Sequence, residues 1–230
     1  MAAIALLSAG LDSAVNLKQA LDSEGVTLAL TFDYGQRAAA REAACAALMC
    51  HQLDIPHRLL DLPWLQEICD TALVNGRAPF PEVTAGQLDE ENVTSGETAR
   101  AVWVPNRNGV FVNVAGAFAE ALGVDLVVAG FNGEEAATFP DNSAEFVSAA
   151  NELFQLSTRS GVRLQSYTQS MGKADIVRRG RQIGAPISSV WSCYRGGSEH
   201  CWRCESCARL ERGLREADAW EWFHAQRLLP

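Results

Sequence analysis

The chain begins with a short apolar run, Ala2 to Leu7, that ends at Ser8-Ala9-Gly10. An unbroken apolar run of that length before turn residues predicts a buried strand. From Asp12 to Ser23 the pattern changes. Apolar Ala14, Val15, Leu17, Ala20 and Leu21 recur at helical spacing, and Gly25 ends the repeat. Thr27 to Phe32 predicts a second strand, Ala38 to Leu53 an Ala-rich helix, and His57 to Asp61 a third strand. Further on, Gly109 to Leu122 predicts a helix, Asp125 to Ala129 a buried strand, Ala144 to Thr158 a helix, Val162 to Tyr167 an alternating strand and Lys173 to Ile183 a helix. A charged helix closes the chain. Asn142, with Glu145 three residues on, suggests a capping box for the helix at Ala144. Strands alternating with helices predict an α/β fold, an open parallel sheet flanked by helices.

Residues 62–101 break this rhythm. Pro, Gly, Glu and Thr are frequent there, and GRAPFPEVTAG has no periodicity. A long excursion from the sheet is expected, as a lid or a dimer contact.

At 230 residues the chain suits one domain, with an α/β core over 1–184 and a C-terminal segment over 185–230. The net charge of −9 argues against a general nucleic-acid or membrane-surface binder. No apolar run reaches the roughly 20 residues of a membrane span. The N-terminus lacks the basic flank of a signal peptide, so a cytoplasmic protein with reduced thiols is expected.

Seven cysteines cannot all pair within one chain. Four of them, Cys193, Cys201, Cys204 and Cys207, fall within CYRGGSEHCWRCESC. Four thiolates at such short spacing suit tetrahedral zinc, and a full set of ligands favours a structural site. An iron–sulfur cluster and a C-x-x-C redox pair are alternatives on spacing alone. His200 reads as a surface residue beside the site. Cys45 and Cys50 fall on the Ala-rich helix as small buried residues.

The other chemical signal is SAGLDS, where the first strand meets the first helix. Small residues let the backbone approach a phosphate, the helix N-terminus offers free N–H groups, and Ser8 and Ser13 add hydroxyls. A plain turn with Asp12 and Ser13 capping the helix would also account for the residues. The stretch resembles the PP-loop of the ATP pyrophosphatase superfamily, usually Ser-Gly-Gly-x-Asp-Ser. An Asp in such a loop suggests Mg²⁺ beside it. The departure is Ala9 for Gly, which costs little where φ is negative.

A PP-loop at one end and this cysteine set at the other resemble the 7-cyano-7-deazaguanine (preQ0) synthase, or QueC, family. TFDYGQR at 31–37, VPNRN at 104–108, GKADIV around Lys173, WSCY at 191–194 and HCWRCESCARL add to the likeness. The resemblance implies a PP-loop (adenine nucleotide alpha hydrolase-like) α/β fold with a C-terminal zinc-binding helical segment. It implies an ATP-dependent C–N ligase of the queuosine or archaeosine pathways. Such an enzyme takes 7-carboxy-7-deazaguanine and ammonia to 7-cyano-7-deazaguanine through adenylated intermediates, with ATP, Mg²⁺ and structural Zn²⁺. A homodimer is implied, with no nucleic-acid or membrane partner.

Carried over by position, Leu7, Ser8, Ala9, Gly10, Leu11, Asp12 and Ser13 would hold ATP, with Tyr34, Gln36 and Arg37 following the second strand. Asn106, Arg107, Asn108, Asn132 and Asp141 would meet the acid. Asp12, Ser13, Arg107 and Lys173 would serve catalysis. The chain departs from the family at TFPDNS, 138–143, where many members read Gly-Tyr-Pro-Asp-Cys-Arg. Three other readings share the loop. One is a PP-loop ligase acting on a different carboxylate, of a heterocycle or a protein. Another is a non-catalytic nucleotide-binding zinc protein. The last is a tRNA thiolase, which the acidic charge disfavours.

Overall fold

Burial along the first strand alternates between two apolar clusters, and this divides the molecule into layers. The computed structural model describes residues 2–74, 80, 82–84, 86, 88 and 100–230. Strand β1 (Ala3–Leu6) leads into helix α1 (Leu11–Ser23), then β2 (Val26–Asp33), α2 (Ala39–Gln52), β3 (His57–Asp61) and the short α3 (Pro63–Glu67). After the excursion come α4 (Arg107–Ala121), β4 (Leu126–Val128), α5 (Gly133–Ala136), a 3-10 turn (Pro140–Asn142), α6 (Ala144–Ser157) and β5 (Arg163–Gln165). The chain ends with α7 (Lys173–Ile183), α8 (Glu205–Glu216) and α9 (Trp220–Gln226).

The five strands form one sheet in the order β3-β2-β1-β4-β5, and every pairing is parallel. Such sheets need apolar cover on both faces. Ala5 faces a cluster with α1, α2, α7 and the C-terminal segment, including Val15, Met49, Ile176, Trp191 and Phe223. Its neighbour Ile4 faces the other cluster, with Val112, Ala115 and Phe154 of α4 and α6. Cys45 and Cys50 are buried in the first cluster as small apolar residues. Strand order reverses beside β1, between β2 on one side and β4 on the other. In open α/β sheets a ligand crevice forms at that switch point, outside the carboxyl ends of the strands.

Several boundaries shift from the sequence reading. The helix expected from Gly109 begins at Arg107, with Asn106 at its N-cap in the left-handed region, φ 52°. The cap of α6 is Ser143, whose Oγ accepts from the Phe146 N–H at 3.1 Å, not Asn142. Asn142 is held by the 3-10 turn one residue earlier. The closing helix divides at Asp218, φ 49°. The excursion is partly regular. It contains α3, an antiparallel bridge from Gln36 to Val74, and a bond from the Val83 N–H to the Arg203 carbonyl at 2.9 Å. Residues 75–79, 81, 85, 87 and 89–99 lie outside the described residues, and with them most of the expected lid or dimer contact. Among the described residues, no helix is long and apolar enough to cross a membrane.

Candidate functional site

A cavity of about 240 Å³ opens at the switch point. Its floor is the turn after β1. Gly10 is the N-cap of α1 and no side chain caps the helix, so Asp12 and Ser13 are not capping residues. Ser13 Oγ donates to the Gly10 carbonyl at 3.0 Å and lies 3.2 Å from Ser8 Oγ, while the Gly10 N–H reaches Ser8 Oγ at 3.3 Å. The first-turn N–H groups of α1 have no partner in the helix ladder and suit an anion.

Ala9 lies at φ +61°, not in the negative-φ region where alanine costs little, but in the left-handed region that favours glycine. A left-handed alanine costs about 1–2 kcal/mol. Its fully buried methyl returns roughly 0.8 kcal/mol. Restricting the unfolded chain adds about 0.4–1 kcal/mol in its favour. These terms nearly cancel, so alanine is tolerated. The Ala9 carbonyl accepts from the Trp191 N–H at 2.9 Å, which ties the loop to the segment leading into the cysteines.

The turn after β4 closes against this loop. A Cβ on Gly130 would lie 2.5 Å from the backbone nitrogen of Ser13, so only glycine permits the approach. Beyond it, Asn132 Nδ2 donates to Asp12 Oδ2 at 3.3 Å, and its Oδ1 caps α5 through the Glu135 N–H. Lys173, the first residue of α7, donates Nζ to Asp12 Oδ2 at 2.5 Å and to Glu135 Oε1 at 2.6 Å. Its backbone is pressed onto α8 at Gly213, where a Cβ would come within 2.7 Å of Lys173 Cβ.

Burial lowers the Lys173 pKa, but Asp12 and Glu135 outweigh it and hold the amine charged well above the usual lysine range. Burial raises Glu135, but Lys173 overcomes that and leaves it below the ordinary range. Asp12 is raised by burial, which Lys173 offsets only in part. One lysine thus serves two carboxylates, and Asp12 Oδ1 is buried with no hydrogen-bond partner among the described residues. An uncompensated negative charge with a free carboxylate oxygen fits a hard divalent cation such as Mg²⁺.

On the opposite wall, Arg107 donates to the Tyr34 hydroxyl at 3.2 Å. Burial opposes its charge, but Tyr34 and Asp141 raise it, so it stays protonated. Asn108 Nδ2 donates to the Asp141 carbonyl at 3.3 Å. Glu42 also lines the cavity, accepts from Gln36 Nε2 at 2.8 Å, and is pushed up by burial to about 6.

Of the residues singled out by sequence, Leu7, Ser8, Gly10, Leu11, Asp12, Ser13, Tyr34, Arg107, Asn108, Asp141 and Lys173 line this cavity. Ala9, Gln36, Arg37, Asn106 and Asn132 do not. Gln36 folds back to accept from the Tyr34 N–H and donate to the Phe32 carbonyl. Arg37 lies 4.6 Å over the Phe80 ring. Asn106 turns against Gly109. The sequence reading missed Glu42, Trp103, Glu135, Phe139, Ser192 and Tyr194. Glu135 carried a signal as part of an acidic pair just after a buried strand, and Phe139, Ser192 and Tyr194 lie within the TFPDNS and WSCY stretches.

The four clustered cysteines bring their Sγ atoms within 4.8 Å of one another. Cys201 and Cys207 sulfurs are 3.9 Å apart, close to the roughly 3.8 Å edge of a tetrahedron with 2.3 Å Zn–S bonds. The N–H groups of Arg203 and Cys204 point at Cys201 Sγ at 3.5 and 3.3 Å. Hydrogen bonds from Cys204 and Cys207 hold Cys193 far down, and sharing with Cys193 pushes Cys204 up to about 12. Thiols this close cannot all ionise without a cation, so the set fits zinc. His200 is not at the surface. It is buried, accepts from the Ser192 N–H at 3.1 Å through Nε2, and packs between Trp191 and Trp202.

The family model for queuosine biosynthesis protein QueC matches residues 2–218. The chain is 52% identical over 217 residues to the 7-cyano-7-deazaguanine synthase of Pelotomaculum thermopropionicum, covering 94% of this chain and 98% of that one. It is 54% identical to the synthase of the same name from Desulforudis audaxviator, with the same coverage. The Methanosarcina mazei synthase is 45% identical, covering 94% of each chain.

Proposed function

The chain belongs to the family of queuosine biosynthesis protein QueC, and from that premise we propose that it makes 7-cyano-7-deazaguanine from 7-carboxy-7-deazaguanine, ammonia and ATP. One observation carries the reading. In a chain whose relatives of that name match over nearly its whole length, a phosphate-type loop, a charged lysine and an arginine line one cavity.

A carboxylate is a poor electrophile because its leaving group would be oxide. Transfer of AMP from ATP to the carboxylate oxygen supplies a leaving group, and pyrophosphate departs. Ammonia then displaces AMP to give the amide. A second AMP transfer, to the amide oxygen, lets AMP leave again with the oxygen, and loss of two protons gives the nitrile. Asp12 would hold Mg²⁺ through its free oxygen, and the ion would supply charge neutralisation to the phosphates.

The chain's own groups do the rest. The α1 N–H groups and the Ser8 and Ser13 hydroxyls donate to phosphate oxygens. Lys173 holds Asp12 in place and offsets charge on the departing pyrophosphate. Arg107, pinned by Tyr34, pairs with the acid's carboxylate or a phosphate. Cys193, Cys201, Cys204 and Cys207 would hold zinc, which would do no bond-making and would stabilise the fold of residues 185–230. Trp191 supports the loop, and Ser192 and Tyr194 close one wall. The protein works as a cytoplasmic homodimer.

The test is direct. Purified protein with Mg-ATP, an ammonium salt and the acid yields amide and then nitrile by mass spectrometry. Folded, zinc-loaded protein that forms neither would overturn the assignment. AMP release with some other carboxylate would instead favour a related ligase.

A further inference from the structure

Trp103 and Phe139 both line the cavity, with ring centroids 6.3 Å apart and planes within 2° of parallel. Trp103 lies just before α4, and Phe139 lies just before the 3-10 turn at Pro140. The bond from Asn108 Nδ2 to the Asp141 carbonyl joins the two segments. Other aromatic rings at the site have closer partners. Phe111 stacks on Phe32 at 4.2 Å and Tyr194 on Phe80 at 5.7 Å. Among the described residues the Trp103–Phe139 pair is the widest of the stacked pairs, so it gains the least from its own contact. A flat ring held against two parallel faces needs two van der Waals contacts of about 3.5 Å, roughly 7 Å in all, so the two rings, with centroids 6.3 Å apart, must part for a ring to enter between them. Neither ring is fully buried.

We propose that Trp103 and Phe139 form a stacking clamp for the flat bicyclic ring of the acid substrate, with the Asp141 carboxylate accepting from that ring's N1–H and 2-amino group. This rests on the assignment of 7-carboxy-7-deazaguanine as substrate. Asp141 is two residues beyond Phe139 and lines the same cavity. Its Oδ1 accepts from Asn142 Nδ2 at 3.3 Å, a partner that leaves acceptor capacity on the carboxylate. A deazaguanine presents two adjacent N–H donors on one edge, which match the two oxygens of a carboxylate. Adenine presents a ring-nitrogen acceptor there, which a carboxylate repels. The clamp therefore selects the acid over the nucleotide.

Calorimetric titrations of the acid alone and of α,β-methylene ATP alone test this. Trp103→Leu and Phe139→Leu should each weaken acid binding by roughly 10-fold or more, with ATP-analogue binding unchanged. Trp103→Phe should recover most of the loss. An acid lacking the 2-amino group should bind the unmodified protein more weakly, and should bind Asp141→Asn no more weakly than the full acid does. Loss of ATP-analogue affinity would assign the pair to adenine and overturn the proposal. Unchanged acid affinity in both leucine variants, or indifference of the unmodified protein to the 2-amino group, would overturn it too while leaving the substrate in place. Failure of the unmodified protein to bind the acid would overturn the substrate assignment itself, and the clamp with it.

Discussion

Lys173 Nζ meets Asp12 Oδ2 at 2.5 Å, so the start of α7 is joined to the start of α1 inside the cavity. Glu135 is the second carboxylate on the same amine, at 2.6 Å. The arrangement makes the lysine a fixed positive charge, and it leaves the second oxygen of Asp12 free.

Asp12→Ala should abolish AMP formation while zinc content and melting temperature stay close to those of the unmodified protein, because Lys173 keeps Glu135 as its partner. Lys173→Met should abolish turnover and also destabilise, by about 3–5 kcal/mol, because two buried carboxylates lose their cation. Paired thermal melts and AMP assays separate the cases. A strongly destabilised Asp12→Ala would make Asp12 a structural residue.

Cys204→Ser should give zinc-poor protein that melts early, since metal binding and folding are coupled. Metal analysis should find one zinc per chain in the unmodified protein, and strong chelators should lower its melting temperature. A well-folded but inactive Cys204→Ser would point to chemistry at the thiols.

Glu42 should make the fold lose stability between pH 4.5 and about 6. Its folded pKa is raised from the ordinary 4.5 to about 6, so the folded state binds more protons in that window. Its contribution is present below 4.5 and is lost as pH rises through 6, by about 2 kcal/mol in total. In Glu42→Gln that loss should vanish from urea unfolding measured across the window. An identical pH dependence in the variant would contradict the shift.

Ala9→Gly should change stability by less than about 1 kcal/mol, because relief of the left-handed strain is offset by a lost buried methyl and a freer unfolded chain. Denaturant midpoints measure it. A gain well above 2 kcal/mol would mean the strain is not balanced.

What could be read from the sequence was local. SAGLDS and the cysteine cluster are contiguous, so their spacing alone brings the groups together. Strand and helix periods gave the sheet, because β1 and β4 are unbroken apolar runs and polar residues enter chiefly at the edge strands β3 and β5. The surroundings of Asp12 were less legible, because Asn132 and Lys173 reach it, and Glu135 reaches Lys173, only through the β4 and α7 crossovers. Gln36 was misplaced for a related reason. Following a strand end puts a residue near the crevice, but its side chain turned back to satisfy its own turn. His200 looked polar and exposed in sequence, yet Trp191 and Trp202 bury it. Ser143 accounts for part of the TFPDNS departure, since a serine there caps α6.

The central claim is that ATP activates the substrate carboxylate by AMP transfer, twice per nitrile. It is tested most directly with 7-carboxy-7-deazaguanine labelled with oxygen-18 in both carboxylate oxygens. The account predicts two AMP per nitrile, each carrying one labelled oxygen, with unlabelled pyrophosphate. Unlabelled AMP, or ADP and labelled phosphate in its place, would contradict it.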